Sequence, residues 1–434
     1  MTPAMIHDTA KSLWKNRIPG QLVIQITDIC NARCPQCGMR VTETFPRSRI
    51  SRGHIRQIID AAAQKGIQAI SFTGGEPFLL RDDLLEMIRY AGAAGIPYIR
   101  TGTNGFIFRG SHKSDFCARM EDIAGKLAET TLRNLWISID SAVPEQHENM
   151  RGLPGVIDGI QKALPIFHRY GIYPSANMGI NRNLAEKLSG DVHDPLMFYH
   201  HYRSGFERFY QMVCDMGFTT VNCCYPMSID ATESETGLSP VYAATATDNL
   251  VNFSRMEQLL LYRALFDTIP QYRSRIRIFT PRTSLLALLR QLTGHCHEPR
   301  PCRGGIDFFF IDAQKAHAWP CGYRGAEDFG PFPDLNLADL LKNSQHCTSC
   351  HWECFRDPSE LMGPPLDMLN RPLTLIKRFI SDPDYCQLWL EDMRYYRACS
   401  FFDGRKAPEW GRMKPFDKSV WHPAPFSGKV QASE

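Results

Sequence analysis

The chain has 434 residues, with 49 Lys and Arg against 46 Asp and Glu, a formal charge of +3, and 43% hydrophobic residues. That length suits two domains or one large barrel with an appendage, and the near balance of charge leaves neither nucleic acid nor an acidic membrane surface as the main partner. Fifteen cysteines behind an N-terminus without an apolar signal segment point to reduced cytoplasm rather than a disulfide framework, and no apolar run approaches the roughly 18 residues that cross a bilayer.

After a short N-terminal segment (1–19), an apolar strand is expected at Leu22 to Ile26. Cys30, Cys34 and Cys37 follow it in a Cys-x3-Cys-x2-Cys spacing. A closed zinc site wants four ligands, commonly as two separated pairs, whereas three thiolates on a four-iron cluster leave one iron open to a small molecule. Ser51 then reads as a helix cap, with Ile55, Ile58, Ile59 and Ala62 on one face and Gly66 as the stop. The second strand, Gln68 to Phe72, runs into Gly74, Gly75, Glu76 and Pro77, where two glycines let backbone approach a ligand and a carboxylate stands beside them.

A helix carrying Leu84, Leu85, Ile88 and Ala91 stops at Gly95. Strand three (Tyr98 to Thr101) opens into the run Thr101 to Gly105, which offers Thr103 and Asn104, and strand four (Leu135 to Ile139) carries Ser138 and Asp140 at its end. The next helix shows Val156, Ile157, Ile160, Leu164 and Phe167 before Gly171. Strand five (Tyr173 to Ile180) brings Asn177, Asn181 and Asn183 to the same side. The aromatic run Phe198 to Tyr210 suits either core packing or a lid, and strand six (Thr219 to Cys224) ends on Cys223 and Cys224.

Six strands alternating with crossover helices predict a parallel sheet, with every polar motif above at a strand's C-terminal end. Beyond a polar loop (Ser228 to Pro240) a helical region is expected from Ser254 to Leu292. A second cysteine group follows: Cys296, Cys302 and Cys321, then Cys347, Cys350 and Cys354. The apolar run Phe308 to Ile311 between Cys302 and Cys321 reads as a β-hairpin with thiolates at its base. Cys302, Cys321, Cys347 and Cys350 can complete one site, with Cys354 or Cys296 as rival or additional ligands. Zinc in a ribbon-like site is the alternative occupant. The aromatic- and proline-rich tail reads as irregular packing.

The phrase Ile26 to Arg40 (ITDICNARCPQCGMR), with FTGGEP and ISIDS downstream, resembles the radical S-adenosylmethionine (radical SAM) enzymes, and the second cysteine group resembles their SPASM and twitch extensions. The resemblance implies an α/β fold: a partial (β/α)6 TIM-like barrel with a small C-terminal cysteine-rich hairpin and helix extension. The expected divisions are 1–19, the barrel at 20–270, the auxiliary cluster domain at 271–360, and a helical and irregular tail at 361–434. It implies a 4Fe-4S cluster on Cys30, Cys34 and Cys37, with S-adenosylmethionine bound through Gly74 to Pro77, Thr103, Asn104, Ser138 and Asp140. An auxiliary 4Fe-4S cluster is expected on the second group. The family's residue before the third cysteine is often aromatic and stacks near adenine; here it is Gln36, a departure that removes the aromatic ring and offers a hydrogen-bonding group as a substitute. Hydrogen abstraction from a small molecule or a protein side chain is then the expected activity, with an external one-electron reductant such as flavodoxin or ferredoxin. A peptide-modifying maturase and a non-catalytic iron–sulfur or zinc protein are the alternatives.

Overall fold

A computed structural model describes residues 10–37, 47–186, 194–226, 241, 249–294, 300–343, 347–348 and 352–418. Six strands, β1 (Gly20–Thr27), β2 (Ile67–Gly74), β3 (Tyr98–Thr103), β4 (Leu132–Ser138), β5 (Ser175–Gly179) and β6 (Thr220–Cys224), lie side by side in chain order, all parallel. The connecting helices are α1 (Arg52–Gln64), α2 (Arg81–Ala93), α3 (Phe116–Ala128), the pair α4 (Pro144–Arg151) and α5 (Val156–Arg169), and α6 (Pro195–Met216). Period-two alternation explains the layering. Leu22, Ile24, Phe72, Ile99, Ile137, Met178 and Val221 are buried in one core with the helices, which turns Arg100, Trp136, Asn177 and Asn222 to the concave side. Each helix ends where the sequence punctuates it: Ser51 accepts the His54 N–H at the start of α1, and Gly66 takes a positive φ after it. The aromatic run of α6 is core, not lid, since Phe198, Tyr202, Phe206, Phe209 and Tyr210 are all buried.

Past β6 the chain departs from expectation in three places. The helical region after Ser254 is two helices, α7 (Arg255–Tyr272) and α8 (Arg282–Thr293), separated by β7 (Arg277–Ile278). The break exists because Arg277 and Phe279 donate their N–H groups to Thr219 and Val221 and so add a strand to β6. The expected hairpin is present as β8 (Phe308–Ile311) and β9 (Ala318–Trp319), but β8 also pairs parallel with β1, from Gln21 opposite Phe308 to Ile24 opposite Ile311. The sheet therefore has nine strands, in the order β7-β6-β5-β4-β3-β2-β1-β8-β9, and stays open.

The tail is ordered further than its composition suggests. After α9 (Leu337–Asn343) come α10 (Glu353–Asn370), α11 (Pro372–Ser381) and α12 (Pro383–Ala398), and Tyr385, Tyr395, Phe402 and Met413 are buried. Helix α10 bridges the two arms of the open sheet. On the β8 side Phe355 packs on Phe308, with ring centroids 5.3 Å apart, and Ser359 Oγ accepts the Arg303 N–H. On the β6 side Glu353 accepts the Tyr225 N–H, and Asp357 accepts from Ser284 and the Tyr225 hydroxyl.

Candidate active site at the barrel rim

The cysteine loop leaves the end of β1, and the end of β2 holds it in place. Gly75 and Glu76 donate their N–H groups to Thr27 O (2.8 Å) and Ile29 O (2.9 Å). A Cβ on Gly74 would stand 2.0 Å from Thr27 O, and one on Gly75 would stand 2.1 Å from Ile29 O. The close approach these glycines permit is thus to the backbone just before Cys30. Pro77 starts the short 3-10 turn Pro77–Leu80, which the Glu76 side chain caps.

Glu76 is wholly buried; its carboxylate accepts the Phe78 N–H (3.0 Å) and the Asn104 N–H (2.6 Å), and bonds to the Thr103 hydroxyl. Burial pushes its carboxyl up to about 7, against the pull of those donors and of Arg151. Asn104 passes the constraint on: its Nδ2 donates to Asn31 Oδ1 at 2.8 Å and approaches Cys30 Sγ at 3.8 Å. The Ala32 N–H donates to the same sulfur at 3.4 Å. Donors aimed at a sulfur favour its thiolate, the form that binds iron.

Asp140, at the end of β4, ties four elements. Its Oδ2 accepts from Gln36 Nε2 (2.8 Å) and from Arg151 Nε (2.8 Å), its Oδ1 accepts the Gly179 N–H (3.2 Å), and its own N–H donates to His147 Nδ1 (3.0 Å). Arg151, from the last turn of α4, also stands in electrostatic reach of Cys34 and Cys37. A guanidinium there offsets negative charge gathered on the thiolates. Burial pushes the Cys34 thiol up to about 12, so iron and Arg151 together must hold it ionised. Ser138 faces the interior one residue pair above Trp136. The sequence reading missed Arg151 and His147; 11 and 7 residues past Asp140, their only signal is the helix that carries them back to it.

Three observations fit a cluster with S-adenosylmethionine above it: three thiols on one loop, N–H donors set on Cys30, and Gln36 Oε1, an acceptor buried without a partner among the described residues. The rim does bring Cys30, Glu76 and Asn104 into one hydrogen-bonded neighbourhood, and Asp140 reaches the same cysteine loop through Gln36, yet Glu76, Thr103 and Asn104 spend their side chains on the scaffold. Residues 24–182 match the model of the Radical SAM superfamily. The chain carries a radical SAM domain. With that domain it is an enzyme that takes a 4Fe-4S cluster and S-adenosylmethionine as cofactors.

The chain is 21% identical to an AdoMet-dependent heme synthase of Methanosarcina barkeri, over 80% of this chain and 87% of that one. It is 24% identical to the AdoMet-dependent heme synthase of Oleidesulfovibrio alaskensis, over 78% and 77%. Against a GTP 3',8-cyclase of Vibrio cholerae the identity is 31%, over 33% of this chain and 42% of that one. Its fold is similar to that of Streptococcus suis SuiB bound to S-adenosylmethionine, with a TM-score of 0.51 at 14% identity, covering 79% of this chain and 70% of that one.

At the second cysteine group, Cys302 and Cys347 form an antiparallel bridge in which the Cys302 N–H donates to Cys347 O at 2.8 Å. Gly304 packs on Pro320, which brings Cys302 beside the Cys321 turn. The Gly304 N–H donates to Cys302 Sγ (3.4 Å) and the Tyr323 N–H to Cys321 Sγ (3.3 Å), repeating the turn seen at Cys30. Arg324 lies in electrostatic reach of Cys321 and Cys347. Cys350 and Cys296 lie outside the described residues. Cys354 has other neighbours: its thiol donates to Glu353 Oε1, and Cys224 and Arg100 stand within electrostatic reach. Among the described residues no three Cys, His, Asp or Glu side chains are gathered as around a single metal ion, and none of the described helices is long and apolar enough to cross a membrane.

Proposed function

We propose that the enzyme abstracts hydrogen from a small molecule held in the concave interior of the barrel, and that a second cluster on Cys302, Cys321, Cys347 and Cys350 takes part in the oxidation or bond formation that follows. The cluster at Cys30, Cys34 and Cys37 supplies, when bound, the electron that cleaves S-adenosylmethionine to methionine and a 5′-deoxyadenosyl radical. The protein's own work is placement. Gly74 to Pro77 fix the loop, Asn104 and Ala32 favour the Cys30 thiolate, and Arg151 offsets charge at Cys34 and Cys37. Gln36 Oε1 and Ser138 are left at the rim to meet polar groups of S-adenosylmethionine, and Asp140 holds the Gln36 amide in place for it.

The small-molecule reading draws on the heme synthase relatives, whose similarity runs over most of both chains. The single observation that carries the auxiliary site is the repeated N–H to sulfur turn at Cys302 and Cys321, beside the Cys302–Cys347 bridge. An external one-electron donor such as flavodoxin or ferredoxin would serve reduction, and the cytoplasm would keep the thiols reduced. Anaerobic reconstitution tests the reading: with dithionite, the wild type should form 5′-deoxyadenosine from S-adenosylmethionine, and the Cys30, Cys34 and Cys37 triple Ala variant should form none. Equal production by both would end it.

A further inference from the structure

The concave side of the sheet carries a charge that nothing in the rim uses. Arg100 projects inward from β3, into a cavity of about 60 Å³ lined with Asn134, Trp136, Ser175, Asn177 and Asn222. Its Nε donates to Ser71 Oγ at 2.8 Å, and its guanidinium carbon lies 5.9 Å from the Trp136 ring centroid. These two contacts fix the plane of the guanidinium. Among the described residues its two Nη groups make no hydrogen bond or ion pair with the protein. Three arginines elsewhere in the interior are matched by carboxylates: Arg151 by Asp140, Arg273 by Asp392 and Arg300 by Asp367.

The lining does not answer the charge. Asn134 and Ser175 bond to each other, and the Asn222 amide bonds to Asn177 and the Cys224 sulfur. Glu353, a carboxyl of the same interior, is taken up by the Cys354 thiol and the Tyr225 N–H. Arg100 is half-buried, with the free edge of its guanidinium turned to the cavity, and a planar carboxylate can meet that edge with two parallel hydrogen bonds. The cavity is too small for a whole substrate but takes one such group beside a little water.

We propose that Arg100 anchors a carboxylate of the substrate at the floor of the barrel. This rests on the reading that the substrate enters the interior, and it adds the substrate's class: an organic acid whose reacting carbon lies on the rim side of that carboxylate. The chain is already charged and shaped there for one end of the molecule.

The test is a titration of the cluster-loaded enzyme, without reductant, with acetate, acetamide and inorganic phosphate, each read by saturation transfer to the ligand or by phosphorus line width. The wild type should bind acetate saturably and acetamide at least tenfold more weakly. Arg100→Gln should lose acetate binding at least tenfold, and Arg100→Lys, which keeps the charge but not the two-pronged edge, should fall between Arg100→Gln and the wild type. Acetate binding that is indifferent to Arg100→Gln, or no better than acetamide, overturns the anchor, and phosphate binding tighter than acetate overturns the carboxylate. Because the titration needs no turnover, acetate binding at Arg100 in a wild type that makes no 5′-deoxyadenosine would leave the anchor standing and remove the radical reading alone.

Discussion

His147 shows how a single buried ring records its surroundings as a pH dependence. Its Nδ1 accepts the Asp140 N–H, so the folded protein holds the ring neutral; burial first, and Arg151 next, push it down to about 4. An unfolded histidine takes up its proton near pH 6.5. The stability this group supplies is therefore complete above that pH and drains away as the pH falls towards 4, by about 3 kcal/mol in all. His147→Asn, which keeps an acceptor opposite the Asp140 N–H, should flatten the loss; urea midpoints at pH 7.5 and pH 5 check it, and an unchanged gap between them would remove His147 as the cause. Gly75 gives a steric counterpart. Gly75→Ala drives a methyl into Ile29 O, so iron retained after reconstitution should fall severalfold, whereas Gly53→Ala, whose nearest neighbour is 4.0 Å away, should retain it all. Equal iron in the two variants would argue that the β2 end does not hold the cysteine loop. Gly75 was legible in the sequence because a strand followed by two glycines already announces a close approach. Arg151 and His147 were not, since what makes them matter is a carboxylate on another element.

At the scale of elements, the six strands and their helices were legible because each carries its own period and its own stop. The hairpin was legible too, being local. Its parallel pairing with β1 was not: Gln21 and Phe308 face each other across most of the chain, and no local pattern encodes a partner so distant. Helix α10 was hidden for a different reason. It contains Pro358, Pro364 and Pro365, each unfavourable inside an isolated helix, and it forms because Phe355, Ser359 and Asp357 are bound at both arms of the sheet. The hairpin and α10 together frame the second cysteine group, which gives the next expectation. Replacing Cys321 and Cys347 with Ala should lower bound iron by about four per chain, one cluster's worth, and abolish product while S-adenosylmethionine cleavage persists without coupling. Unchanged iron with stoichiometric zinc would show a structural ribbon instead.

For the molecule as a whole, an open nine-stranded sheet needs its far arm held, and the C-terminal helices do this through a few buried charges rather than many surface ones. Asp392 of α12 pairs with Arg273 at the end of α7, and both side chains are at most 1% exposed. It also accepts the N–H and hydroxyl of Thr283 at the start of α8, each at 2.7 Å. The exposed pair Arg169 with Glu121, at 59% and 48% exposure, has the same formal charges. Water already satisfies that one, so its loss costs at most about 1 kcal/mol. Asp392→Ala instead strands a buried guanidinium whose remaining partner is Glu391 at 3.3 Å, and frees two donors in the interior. The expected cost is about 3–5 kcal/mol, a large share of what holds a folded domain together. Urea unfolding should show that loss in Asp392→Ala and almost none in Glu121→Ala. If both variants unfold at the wild-type midpoint, the C-terminal helices are a covering that the barrel does not need, and α10 must close the interior without support from α12.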